Sequence, residues 1–277
     1  KRTMTSAVSV IRTNFFLTTR SGVILLCFAA FGWVHVLMQL VTLNSIGSLS
    51  EAGPGMQIFS AFQYYLLNDP FGFQTSLNFC TTTDTDWGIL DFLKSFTMWV
   101  AMVFAMMLPG LFPLLKSVKS QGQRILPFIL SYLSIWLGFC VLGVAVQWAL
   151  RLLEILNGHM VITNPVISAA TLCIAGGYQL SQTKSARLTE RKTLIAETYL
   201  KPCCQTSEPV SGSVYGLACI VCCLPMMLTM FAFGLMNILA MVMLTVMMIL
   251  ETNPPSRIDV TKLWGAMMCF MGLLFLV

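Results

Sequence analysis

Three thiols and three thioethers crowd one short apolar stretch, "CIVCCLPMMLTM": Cys219, Cys222, Cys223, Met226, Met227 and Met230. Their offsets are i, i+3, i+4, i+7, i+8 and i+11, which on an α-helix fall on one face. At about 100° per residue they occupy an arc of roughly 140°. Pro225 lies among them and leaves the carbonyl of Val221 without its helical donor, which predicts a kink and local room. Soft sulfur donors select Cu(I), and thiolates also suit zinc and iron–sulfur clusters. Methionine packs readily in cores and cysteine behaves as a small hydrophobe, so the stripe reads equally as a packing surface.

Other residues could extend such a site. Met98, Met102 and Met106 recur at i, i+4 and i+8 with Met107 beside them, and Met236, Met243 and Met247 at i, i+7 and i+11. A methionine stripe alone reads first as packing. His35 with Met38 reads as a helix–helix contact before a ligand pair, and His159–Met160 reads as a metal-capturing mouth only as a second choice. Asp84 and Asp86 beside Trp87 read as solvated loop acids. Cys80 has no evident disulfide partner. Cys203 and Cys204 are expected to stay reduced, and Cys27, Cys140, Cys173 and Cys269 to serve as apolar packing.

The elements that must carry these residues follow from composition. Hydrophobic residues make up 57% and charged residues 10% of the 277, against about 25% charged in a soluble domain. Such a chain is expected to be a polytopic, all-α transmembrane bundle. Runs near the bilayer length of about 20 residues occur at 22–43, 92–115, 125–150 and 160–180. The uncharged stretch 214–250 is too long for one crossing and is divided near Gly234 and Asn237 into 214–233 and 235–250; a last run covers 263–277. The net charge of +5 matters less than where the charges fall. All Lys and Arg except Lys94 and Arg151 lie on one side of these runs, which predicts seven crossings with that side and the N-terminus cytoplasmic.

Residues 1–21 read as a basic interfacial segment before a single transmembrane domain, 22–277. An aromatic outer loop, 44–91, is expected at the membrane interface. Both chain ends read as incomplete. The host compartment is expected to be a bacterial inner membrane, with the lipid bilayer as partner and no nucleic acid.

Several chemistries are excluded. The chain contains no phosphate-binding glycine loop, zincin motif or nucleophile elbow. Two histidines are too few for haem or di-iron sites. None of the seven run interiors carries an Asp, Glu, Lys or Arg, against an ion-driven pump. No catalytic residue is identified and the chain is not expected to be an enzyme; buried thiols leave a redox role open, although nothing charged lies within the stripe to activate one.

"WVAMVFAMMLP" (Trp99 to Pro109) resembles the W-x-x-M-x-x-A-M-M-L-P signature of a family of predicted metal-binding integral membrane proteins with a domain of unknown function. "GGYQLSQTK" (Gly176 to Lys184), "CIVCC" followed by Met226 and Met227, and "GLMN" (Gly234 to Asn237) are similar to its further motifs. Where the family usually has cysteines after that lysine, this chain has Arg187 and Glu190. The resemblance implies a membrane protein that handles metal. Together with the sulfur stripe it points to binding or relay of Cu(I), with copper the one cofactor or cargo expected. The metal ligands would be Cys219, Cys222, Cys223, Met226, Met227 and Met230, joined by Met102 and Met106 from the second run. A stable site is expected to centre on Cys222, Cys223 and Met226, with Met230 and Met98 on the access side. The alternative is a non-catalytic accessory subunit of a larger membrane oxidoreductase complex, its sulfur faces serving as packing surfaces.

Overall fold

The computed structural model describes residues 20–43, 53–56, 88–120, 125–157, 160–200, 212–235, 237–252 and 259–276. The N-terminal basic segment up to residue 19, most of the aromatic loop, and Cys80, Asp84, Asp86, His159, Cys203, Cys204 and Met236 lie outside the described residues. Among those described, eight helices make an all-α bundle: α1 (Arg20–Leu43), α2 (Ile89–Ser120), α3 (Ile125–Leu152), α4 (Pro165–Leu180), α5 (Gln182–Leu200), α6 (Gly212–Phe233), α7 (Ile238–Thr252) and α8 (Val260–Leu274).

Among the described residues, three helices are long and apolar enough to cross a membrane: Ile89–Leu111 within α2, Ile125–Leu152 and Gly212–Phe233. Pro165–Leu180, Ile238–Thr252 and Val260–Leu274 are shorter apolar helices, whereas α1 runs over 24 residues. The 15 residues of α7 and of α8 rise by about 22 Å at 1.5 Å each, short of a hydrocarbon core of about 30 Å.

Local chemistry explains the breaks. The fourth apolar run becomes helical only at Pro165, because Asn164 caps α4 with its side chain accepting from the Val166 N–H at 2.9 Å and proline suits the first turn. Ser181 ends α4 in an extended conformation, and its Oγ accepts the Lys184 N–H at 3.2 Å, opening α5. Gly234 takes φ +99 and turns the chain out of α6. Asn237 then caps α7: its Oδ1 accepts the Ala240 N–H at 3.1 Å, and its Nδ2 donates to the Pro54 carbonyl at 2.9 Å. Gly234 and Asn237 are thus a turn and a cap, and the asparagine also holds the short segment 53–56.

Two seams are built on close backbone approach. A Cβ on Gly32 would lie 2.7 Å from the Ala101 carbonyl, so α1 rides directly on α2. Between α4 and α8, a Cβ on Gly176 would lie 2.6 Å from Cys269 Sγ and 2.7 Å from the Gly265 carbonyl. The thiols of Cys173 and Cys269 lie there too, each donating across the seam to the other's carbonyl at 4.0 and 3.9 Å. Small residues that let backbones meet are a membrane-helix packing device.

Candidate metal centre

α6 packs against α3, α4 and α5. The stripe faces inward: Cys219, Cys222, Cys223, Met226, Met227 and Met230 are all buried, while Val221, Leu224 and Leu228 on the opposite face are exposed. Met98, Met102, Met106 and Met107 of α2 are buried in the same core cluster. α2 itself packs on α1, α3, α7 and α5, and it meets α6 through Trp99 and Phe231, whose ring centroids are 6.0 Å apart. Trp99 is an anchor: its Nε1 donates to Gln147 Oε1 at 2.8 Å, and a Cβ on Gly143 would sit 2.9 Å from its ring. From α7, Met247 is buried but Met243 is exposed. Met243 therefore leaves the candidate set. Met38 is exposed as well, and His35 beside it stacks on Phe31 at 6.4 Å.

Pro225 breaks the α6 ladder, and α4 repairs it. The Val221 carbonyl, deprived of its helical donor, accepts the Tyr178 hydroxyl at 3.1 Å. One residue on, the Cys222 carbonyl accepts Lys184 Nζ at 3.0 Å. Lys184 is fully buried and also pairs with Glu251 Oε2 at 3.0 Å, so it ties α5 to α6 and α7. Burial opposes the charge of Lys184, and the Glu251 carboxylate together with the Cys222 and Cys223 sulfurs more than offsets it, so the lysine sits above its usual pKa.

The thiols themselves face a second buried cation. Arg191 of α5 is 4% exposed. Its Nη1 lies 3.9 Å from Cys219 Sγ and 4.0 Å from Cys223 Sγ, and its Nη2 donates to Thr252 Oγ1 at 2.7 Å. Cys222 is buried beside them on the same helix face, and Tyr132 of α3 is buried in the same core cluster. The stripe itself carries no charge, as its sequence shows, but α5 brings a guanidinium to it from outside.

The sequence contained a signal for these cations. Lys184, Leu188 and Arg191 stand at i, i+4 and i+7 on α5, one helical face, whereas Arg187 and Glu190 form an exposed pair of their own at 2.9 Å. Among the described residues, no three His, Cys, Asp or Glu side chains are gathered into a metal-holding group. The arrangement is a thiol pair under a guanidinium, with thioethers continuing along the same helix face.

Fold and site together define an all-helical protein with membrane-length apolar helices and a buried, sulfur-lined face. A family model described as PpoB2, copper chaperone, matches residues 96–275. That is well over half of the chain, and the protein belongs to this family. No curated protein and no solved structure matches the chain.

Proposed function

We propose that the protein is an integral membrane copper chaperone that takes up Cu(I) at the buried thiols of α6 and relays it along the methionine-lined core. The observation carrying this reading is the shared placement of Cys219 and Cys223, both within 4.0 Å of one guanidinium nitrogen. Cu(I) is satisfied by few soft donors, and an i, i+4 thiol pair with one thioether from Met226 or Met227 supplies them. The pair sharing Arg191 moves the centre from Cys222–Cys223 to Cys219–Cys223, with Cys222 next to it. Thiolates add charge to softness and hold the ion tightly. Neutral thioethers hold it loosely, which suits onward movement. Met226, Met227 and Met230 follow the thiols along α6, and Met102 and Met106 line α2.

The bilayer is the proposed partner of the outer faces, where Leu126, Leu130, Leu137, Val141 and Leu142 of α3 stand exposed. Seven crossings with a cytoplasmic N-terminus remain part of the proposal, the shorter helices being met by local thinning of the bilayer. Copper is cargo here, and the chain catalyses no reaction.

Anaerobic titration of the purified protein with Cu(I) against a chromophoric chelator tests the reading. About one tightly held Cu(I) per chain is expected from a single thiol pair, and Cys219→Ser with Cys223→Ser should abolish it while helicity is retained. Unchanged Cu(I) binding in that double variant would overturn the proposal.

A further inference from the structure

Resting on the reading that Cys219 and Cys223 hold the metal, we infer that Arg191 sets its valence, making the site accept a soft monovalent cation in preference to a divalent one. The two buried cations of α5 differ in how their charge is met. Lys184 is matched by the Glu251 carboxylate at 3.0 Å. Arg191 takes part in none of the ion pairs among the described residues. Among the described residues it contacts the two sulfurs and the Thr252 hydroxyl, the Tyr215 phenol lies close enough to interact with its charge, and its Nε is buried with no hydrogen-bond partner. Guanidinium stays protonated under all ordinary conditions, so one full positive charge lies buried against the two sulfurs.

A metal entering the pair displaces one proton from each thiol to solvent. Two thiolates with Cu(I) carry a net charge of minus one, which the guanidinium cancels. Two thiolates with Zn(II) are neutral, and Arg191 then leaves a buried net positive charge. Removing the guanidinium reverses the count, giving a buried negative charge with Cu(I) and neutrality with Zn(II). Net charge away from water is costly, so the same pair of sulfurs changes its preferred valence with the residue at 191. Zinc also asks for four ligands, which the thiol pair does not provide.

The test compares the wild-type chain in detergent with Arg191→Gln and Arg191→Lys, titrated separately with Cu(I), Ag(I) and Zn(II) by chelator competition. Loss of a group supporting the ligands typically weakens metal affinity by about 10–100-fold. Arg191→Gln should show such a loss for Cu(I) and Ag(I), with Zn(II) unchanged or tighter. Arg191→Lys keeps the charge and should keep the order of preference. Should Arg191→Gln fail to fold, Thr252→Val unties the guanidinium and should move the ratio the same way by a smaller step. Equal weakening of all three metals, or an unchanged ratio, overturns the inference and leaves the chaperone reading standing. Absence of Cu(I) and Ag(I) binding by the wild type, or binding that survives loss of both thiols, overturns both.

Discussion

Pro225 shows what a single residue reveals and what it hides. Its missing N–H frees the Val221 carbonyl, a deduction available from the sequence because the i−4 rule is local. That Tyr178 supplies the replacement donor at 3.1 Å was not legible, since the two lie 43 positions apart and no spacing rule links them. Tyr178 lies in the "GGYQLSQTK" stretch, and its hydroxyl has a structural role there. Tyr178→Phe removes the donor and keeps the ring. It should lower stability by about 1 kcal/mol, the usual net value of such a bond. Thermal unfolding in detergent checks this, and a melting point equal to the wild type would show that the carbonyl finds another donor. The six sulfurs of α6 were legible for the opposite reason: their common face is a property of a single helix. Arg191 was not. In a basic segment between apolar runs it reads as a topology signal, and only its i+7 relation to Lys184 separated it from exposed Arg187.

Among the elements, α5 has two faces, and its inward one works as a clamp. Lys184 joins α5 to the Cys222 carbonyl of α6 and to Glu251 of α7. Removing one member of a buried pair leaves the other uncompensated, at about 3–5 kcal/mol, whereas replacing both by apolar residues of similar volume is often neutral. Lys184→Met and Glu251→Leu should therefore each destabilise strongly, and the double variant should recover most of the loss. A double-mutant cycle on unfolding measures this coupling; additive losses would mean that the pair contributes nothing as a pair. The α4–α8 seam makes a second element-scale case. Gly176→Val places carbon where Cys269 Sγ and the Gly265 carbonyl already lie 2.6 and 2.7 Å from a Cβ position. Overpacking of this kind costs about 1–3 kcal/mol. Disulfide trapping between Cys173 and Cys269 under oxidant should slow in this variant as α8 is pushed away, and an unchanged rate would show the seam absorbing the bulk.

For the whole molecule, the all-helical architecture was legible from apolar runs and the sparse charge, because helices are the economical way to satisfy backbone groups in lipid. The number of crossings was less so. Hydropathy marks apolar length, but caps such as Asn164 and Asn237 decide where helices start, and they shorten α4 and α7 below their apolar runs. The composite site was the least legible part, being assembled from α3, α5, α6 and α7. Its members are dispersed from Tyr132 to Thr252, and this scatter has a consequence in time. A chain emerging from the ribosome brings out Cys219 and Cys223 before Thr252 is free to tether the guanidinium beside them. The finished pocket therefore belongs to the assembled bundle and to no nascent fragment, so biogenesis precedes loading, and copper offered during synthesis meets bare thiols instead of a chaperone.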